Sequence, residues 1–395
     1  MRIVLISDTY PPLSNSGAIQ LRDLASEFAS QGHHITVIVA DSDIQTSSIL
    51  QECSGIQVFR IKTYPIKDVG YVRRTLSEFF MPFAMIREFR RSELFKISWE
   101  GILWYSPSIF HTPFVNYLKW KSGCKAYLII RDIFPDWAVD IGLMKKNLPY
   151  LFFTAVARYQ YLVANIIGVQ SPSNEIFFKS WNKKSRRSVE LLPNWLGKKG
   201  IERCPIRVED TVLAGRRIMV YAGNMGKAQG IDIILNLAEK LHYRTDIGFL
   251  MVGRGSEFAR LKHLAQKNQM KNILFFDQIE PEEIPELFTQ CEVGIITLDH
   301  RHKTHNIPGK FLTYLQSGLP VLANVNAGND LAKIIRINHV GEVCETNKAS
   351  DFHNLAEKLL SDIKSDQGFS SRCEALFESE FAVENKVKQI IHSLS

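Results

Sequence analysis

Two stretches of the chain start the same way, and nothing else in it constrains the fold as tightly. The opening MRIVLISDTYPPLSNSGAIQLRDLASEFASQGHHITVIVA reads as strand, glycine-bearing loop, helix, turn and strand. Leu21, Leu24, Ala25 and Phe28 recur at helical spacing, and Gly32 ends that helix. RIVLI and ITVIVA are near-continuous β-branched runs, as in strands covered on both faces of a parallel sheet. From residue 216, RRIMVYAGNMGKAQGIDIILNLAEKLHYRTDIGFLMVG repeats the order, with Ile231, Ile234, Leu235, Ala238 and Leu241 on one helical face. NILFFD, EEIPELFTQC and VGIITL then continue as strand, helix and strand. Two such beginnings predict an α/β protein of two Rossmann-like domains with parallel sheets, facing each other across a cleft. The length of 395 residues also favours two cores over one. The expected domains are 1–195 and 196–375, joined through PNWLGKKGIERCPIRVED, a stretch rich in charge and turn formers.

The net charge of +7 is unevenly placed. Residues 1–200 hold 25 Lys/Arg and 16 Asp/Glu, a balance of +9, and the remainder holds 23 and 25, a balance of −2. A basic first half points to an anionic partner, either a membrane surface or nucleic acid. The six cysteines form no C-x-x-C pair, which fits a reducing compartment and buried thiols better than a zinc site or disulfide frame. MRIVLISD reads as a first strand and not as a signal peptide. LPYLFFTAVARYQYLVANIIGV, from Leu148, is broken by Arg158, Gln160 and Asn165, so a buried helix is expected there instead of a membrane span. The expectation is a cytoplasmic protein.

Ligands of open α/β sheets sit at the carboxyl ends of the strands. In HNIPGKFLTYLQSGLPVLA, Pro308 suits a first helical turn, Gly318 and Pro320 end the helix, and VLA is the next strand. Gly309 and Lys310 thus stand at a helix N-terminus, where amides, helix dipole and ammonium make an anion site or a plain solvated lysine. A P-loop is excluded, because Thr304 and Phe311 break its pattern. In YAGNMGKAQGID, Gly223, Gly226 and Gly230 permit close backbone approach and Lys227 adds charge. Arg254, in VGRGS, is a third cation near the same strand ends. Neither glycine loop reads G-x-G-x-x-G, which argues against a nicotinamide enzyme.

On these stretches, together with LLPNW, the chain resembles the GT-B fold glycosyltransferases of family 4, retaining nucleotide-sugar transferases, over nearly its full length. The resemblance implies a first domain for the acceptor and a second for the nucleotide sugar. It also implies a C-terminal helix over 376–395 that packs back on the first domain. The donor site it implies comprises Ser16, Gly17, Gly223, Asn224, Gln229, Gly253, Arg254, Gln278, Ile279, His305, Pro308, Gly309 and Thr313. Asn224 and Gln229 stand where the family has Arg and Lys, and His305 and Thr313 where it has a Glu-x7-Glu pair. Lys310 and Lys227 would therefore carry more of the diphosphate charge. Arg131, followed by Asp132, stands where family members carry a His against the sugar's 6-hydroxyl. That suits a 6-deoxy donor, such as the one used by N-acetyl-fucosamine transferases of bacterial surface-polysaccharide synthesis. The alternative is an Arg131 that pairs with Asp132 or Asp136 and says nothing of the sugar.

For such an enzyme the resemblance implies front-face displacement, with the leaving diphosphate taking the acceptor's proton. Lys310 and Lys227 would stabilise the leaving group and Asp132 would orient the acceptor hydroxyl. No cofactor or metal is expected. The triplet at Asp41–Asp43 reads as a solvated loop, and His300, His302 and His305 lack supporting ligands.

In YVRRTLSEFFMPFAMIREFRRSELFKI, Arg73, Arg74, Arg87, Arg90 and Arg91 interleave with Phe79, Phe80, Phe83 and Phe89, with a kink expected at Pro82. An interfacial helix on anionic lipid has this pattern, and so does a packed helix with solvated arginines. The membrane reading fits a polyprenyl-diphosphate-linked saccharide acceptor and a peripheral place on the inner face of the cytoplasmic membrane. No nucleic-acid-binding signature accompanies the charge. Two rivals stay open: a nucleotide-sugar 2-epimerase, and a non-catalytic partner subunit with a decayed donor site.

Overall fold

The computed structural model describes residues 1–13, 15–66, 69–140, 142–182, 187–198, 200, 202–299 and 307–395. It divides into two compact units, Met1–Gly197 with Val383–Ser395, and Lys198–Ala382.

The strands of the first unit are β1 (Arg2–Ser7), β2 (His34–Asp41), β3 (Ser48–Cys53), β4 (Ile56–Lys62), β5 (Gly101–Ser106), β6 (Lys125–Ile130), β7 (Ile166–Val169) and β8 (Ser188–Leu191). They form one sheet in the order β3-β4-β2-β1-β5-β6-β7-β8. Only β3, on β4, is antiparallel. The helices are α1 (Ser16–Ser30), α2 (Tyr71–Arg91), α3 (Thr112–Ser122), α4 (Asp136–Asp140), α5 (Leu148–Val163) and α6 (Pro172–Asn182). Side chains alternate across the sheet, so each face has its own core. Val4, Ile6, Ile102 and Trp104 lie in the core that includes Met81 and Met85 of α2. Ile3, Leu5, Leu103 and Tyr105 lie in the other, with Leu21, Leu24, Ala25 and Phe28 of α1. Asn15 caps α1 by accepting from the Ala18 amide (2.9 Å), which satisfies one of the helix's orphan donors.

The second unit holds β9 (Arg217–Ala222), α7 (Asp232–Lys240), β10 (Ile247–Val252), α8 (Phe258–Lys267), β11 (Ile273–Phe276), α9 (Ile284–Thr289) and β12 (Val293–Thr297). It continues with α10 (Gly309–Gln316), β13 (Val321–Asn324), α11 (Asp330–Asn338), β14 (Gly341–Cys344), α12 (Ala349–Ser365) and α13 (Phe369–Glu380). Its six strands run parallel in the order β11-β10-β9-β12-β13-β14. The order reverses beside β9, the point where such sheets open a ligand crevice.

Two expectations are corrected. Residues 376–395 are not one helix: α13 ends at Glu380 and α14 (Val383–Leu394) begins after Phe381 and Ala382, both buried. Phe381 packs edge-on against Phe311 in the second unit, while Val383, Val387, Ile390 and Leu394 join the core beside α1. The segment from Leu148 is not a buried helix either. Of α5 only Ala157, Gln160, Tyr161 and Val163 are buried, and Leu148, Leu151, Phe152 and Leu162 are exposed. The last residues of the segment, Ile166–Val169, form β7. α2 runs from Tyr71 to Arg91 with Pro82 inside it.

Candidate functional site

The site is built on the loops that follow β9, β10 and β12. Gly223, Gly253 and Gly255 have φ of 138°, 147° and 147°, a region that side chains strain to enter. A Cβ on Gly253 would lie 2.0 Å from the Gly223 carbonyl oxygen, and one on Gly255 would lie 2.4 Å from that of Met225. Backbone pairing makes the contact tight: the Gly223 amide donates to Val252 (2.9 Å) and the Met225 amide to Arg254 (2.7 Å). The two loops therefore form one backbone ledge, with Arg254 exposed beside it.

Lys310 reaches that ledge from the first turn of α10. Pro308 caps this helix in an extended conformation. One turn on, the Tyr314 hydroxyl lies 3.2 Å from both the Val220 and Ile295 carbonyl oxygens and accepts from the Ala222 amide (3.1 Å). The Tyr314 ring fills the space left by Gly294, where a Cβ would sit 2.4 Å from the ring. So pinned, α10 sets the Lys310 ammonium 3.8 Å from the centroid of the Tyr221 ring and beside Gly223. Burial pushes its pKa down to about 7. The ammonium has no carboxylate partner among the described residues. A desolvated cation with only a ring for company is a receptor for an anion.

Asn224 and Gln229 turn toward each other. The Asn224 amide donates to the Gln229 side-chain oxygen (3.3 Å), which also accepts from the Gly226 amide (3.0 Å). They close the short 3-10 turn Lys227–Gln229, leaving Lys227 exposed. Thr313 spends its hydroxyl on the Gly309 carbonyl (3.4 Å). Gln278 is exposed and Ile279 half-buried in the loop past β11. His305, with His300 and His302, lies outside the described residues.

The remaining candidates lie in the first unit. Ser16 and Gly17 open α1, where a Gly17 Cβ would sit 3.3 Å from the Tyr105 hydroxyl. Arg131 is buried: it donates to the Leu192 carbonyl (2.7 Å) and stacks 4.5 Å from the Trp195 ring. That burial holds its pKa below the ordinary arginine value. Its guanidinium therefore supports the core beneath the strand ends and is not displayed there. Asp132, next to it, is half-buried. Asp41 is spoken for by Arg60 (2.9 Å) and by the Asp43 amide (2.9 Å).

On α2, Arg74 pairs with Glu78 (3.0 Å), while Arg87 (2.7 Å) and Arg91 (3.4 Å) pair with Glu88. Arg73 and Arg90 have no ion-pair partner among the described residues. Phe79, Phe80 and Phe83 are exposed in one cluster, with ring centroids 5.4 and 6.2 Å apart along it. Phe89 instead faces the core. No described helix is long and apolar enough to cross a membrane.

Sequence reasoning passed over Tyr221 and Tyr314. Both were visible as aromatics bracketing the glycine loop and the Pro-Gly-Lys turn, but their meeting depends on β9 and β12 being neighbours.

Comparison with known proteins bears on this geometry. Residues 206–374 match the family model described as glycosyl transferases group 1. WbjE of Pseudomonas aeruginosa, which carries the name of a glycosyltransferase, is 26% identical over 249 residues, 61% of this chain and 61% of WbjE. WcaI of Escherichia coli K12, named for a colanic acid biosynthesis glycosyl transferase, is 22% identical over 363 residues, 88% of this chain and 86% of WcaI. Among solved structures, Anabaena Alr3699/HepE in complex with UDP and glucose has the same fold (TM-score 0.64, 13% identity, 100% of this chain and 99% of that one).

Proposed function

We propose that this chain, a GT-B glycosyltransferase whose second unit belongs to the glycosyl transferases group 1, moves a sugar with retention from a UDP-linked donor to a lipid-linked saccharide in surface-polysaccharide assembly. The observation that carries this reading is Lys310. It is a cation with a lowered pKa, held over Tyr221 against a glycine ledge.

A nucleotide diphosphate supplies the anion that such a lysine lacks. In this reading Lys310, exposed Lys227 and the amides around Gly223 take up the charge that grows on the leaving diphosphate. The acceptor oxygen forms the new bond at the anomeric carbon as the sugar–phosphate bond breaks, and the acceptor proton passes to the diphosphate. No metal is called for. Asp132 orients the acceptor hydroxyl. Inward burial of Arg131 supports a 6-deoxy donor such as N-acetyl-fucosamine. The exposed Phe79, Phe80 and Phe83 with Arg73 and Arg90 support peripheral binding to the anionic inner face of the cytoplasmic membrane.

The Asn224–Gln229 contact favours a second reading, a non-catalytic partner subunit, because the loop satisfies itself where the family keeps cations. Binding of UDP, UDP-sugars, GDP and dTDP to wild type and Lys310→Ala, followed by thermal shift, separates the two. A transferase is stabilised by UDP or a UDP-sugar and loses that response in Lys310→Ala, with turnover falling by about 3–4 kcal/mol of transition-state stabilisation. A chain that responds to no nucleotide is the partner subunit.

A further inference from the structure

One side of α5 is apolar along its whole length, and nothing described above uses it. Leu148, Leu151, Phe152, Tyr159 and Leu162 are all exposed. At 3.6 residues per turn the five fall within a stripe about 100° wide. Ala157, Gln160, Tyr161 and Val163 are the buried residues of the helix, and the Tyr161 ring meets that of Phe178 in α6 edge-on at 5.0 Å. Both ends are tied down. Asn147 accepts from the Tyr150 amide (3.5 Å) at the start, and Arg187 donates to the Ala164 carbonyl (3.1 Å) past the end. Phe152 is held from beneath by Phe110 (6.4 Å) and beside it by Phe153 (5.3 Å). On α6, Ile176 and Phe177 are exposed as well.

α5 lies on the same side of the sheet as α2, because Met81 and Met85 of α2 share one core with Ala157, Tyr161 and Val163 of α5. The short turn Ile109–His111 packs against both helices. The exposed phenylalanines of α2 and the stripe of α5 therefore belong to one helical layer.

Charge decides what covers this side. From 141 to 174 the chain holds no Asp or Glu, and its ionisable cations there are Lys145, Lys146 and Arg158, all exposed. The half-buried Asp136 accepts from the Tyr150 hydroxyl (3.0 Å). A second copy of the chain on the same stripe would set these cations against themselves with no carboxylate to meet them. Nucleic acid would answer the cations and leave the leucines in water. An anionic bilayer answers both, with headgroups for the charges and the acyl boundary for the stripe.

We propose that α5 is a second membrane-contacting helix, lying along an anionic bilayer with its Leu148-to-Leu162 stripe at the acyl boundary and Lys145, Lys146 and Arg158 on the headgroups. This extends the reading of α2 as a peripheral membrane contact. A single amphipathic helix can roll about its own axis on a surface. Two helices of one layer define a plane, so α2 and α5 together fix the tilt at which the first unit meets the bilayer.

An environment-sensitive nitrobenzoxadiazole label on the full chain tests the contact. It is attached at Leu151→Cys or, for reference, at Leu50→Cys on β3 at the far edge of the same sheet. Both are made in a Cys53→Ser background, since Cys53 is an exposed thiol. Phosphatidylglycerol vesicles are expected to brighten the label at 151 and shift it to the blue, while the label at 50 and vesicles of phosphatidylcholine alone give no change. Leu148, Leu151 and Leu162 changed together to Ser should weaken sedimentation with phosphatidylglycerol vesicles by about tenfold or more, at an unchanged melting temperature. A label at 151 that stays unchanged while the chain sediments overturns the proposal and leaves α2 as the contact. So does an equal response to both lipids, or a blue shift that appears without lipid as protein concentration rises, which assigns the stripe to a second copy. A chain that does not sediment with phosphatidylglycerol at all overturns both helices' contacts. If the label at 151 responds while the serine variant of Phe79, Phe80 and Phe83 binds as wild type does, the α5 contact stands and the α2 reading falls.

Discussion

The ammonium of Lys310 lies 3.8 Å from the centroid of the Tyr221 ring, although 88 residues separate the two positions in the chain. β9 delivers the ring and α10 the cation, and Tyr314 locks the helix to the strand. Burial has lowered the lysine's pKa from 10.5 to about 7. Between those values the unfolded chain binds more protons than the folded one, so this group makes stability rise with pH across that window. Nucleotide binding runs the other way, because a diphosphate needs the charged form. UDP affinity is expected to fall above neutrality by up to about tenfold per pH unit. Calorimetry in buffers of different ionisation enthalpy should show proton uptake on binding at alkaline pH; none would mean that the diphosphate does not meet Lys310.

Tyr221→Leu and Tyr221→Phe separate the ring from its hydroxyl. A desolvated cation–π contact is worth about 2 kcal/mol, so the leucine variant should bind UDP up to about thirtyfold more weakly near neutral pH. Tyr221→Phe keeps the ring and loses only the bond to the Asn224 carbonyl (2.6 Å). Its UDP affinity should stay close to wild type by titration calorimetry. Equal losses in both would assign the effect to loop structure.

Gly253→Ala should be a strongly damaging small substitution at the site. The new Cβ would fall 2.0 Å from the Gly223 oxygen, at a φ of 147°. Strain of about 1–3 kcal/mol comes from the dihedral alone, with the clash added. Gly32→Ala, at φ 81° with nothing within 4 Å, carries only the dihedral cost. Urea denaturation of the pair should place Gly253→Ala well below Gly32→Ala, with UDP binding lost in the former only.

On α2, Phe79, Phe80 and Phe83 changed together to Ser should abolish sedimentation with phosphatidylglycerol vesicles while leaving the melting temperature unchanged, since these rings are exposed. Changing Arg73 and Arg90 to Gln should weaken vesicle binding by about 2 kcal/mol at low salt, at roughly 1 kcal/mol per charge. Binding that ignores both sets would place the membrane contact elsewhere.

The alternation of strands and helices, the apolar face of α1 and the Pro-Gly-Lys turn were legible in the sequence, because each follows from periodicity or from a residue with one backbone role. The exposed face of α5 was not. A helix with apolar residues on several sides looks buried from its sequence, and whether a partner covers the second side is decided by the sheet beneath. The break at Phe381 and Ala382 was hidden because both are ordinary helix residues; the two cores they join impose it. Asn224 and Gln229 were visible as departures, yet their bond to each other depends on the loop's backbone path.

Met1–Gly197 and Val383–Ser395 fold into one body, and 198–382 into another. In covalent terms the second unit is an insertion, held by a joint at each side. Recombination that exchanged this stretch as one cassette would replace the second unit and leave α14 seated beside α1. An exchange with a single crossover near residue 197 would carry α14 along and pair it with an α1 it had not evolved to cover. Chimaeras with two joints should therefore stay soluble where those with one aggregate.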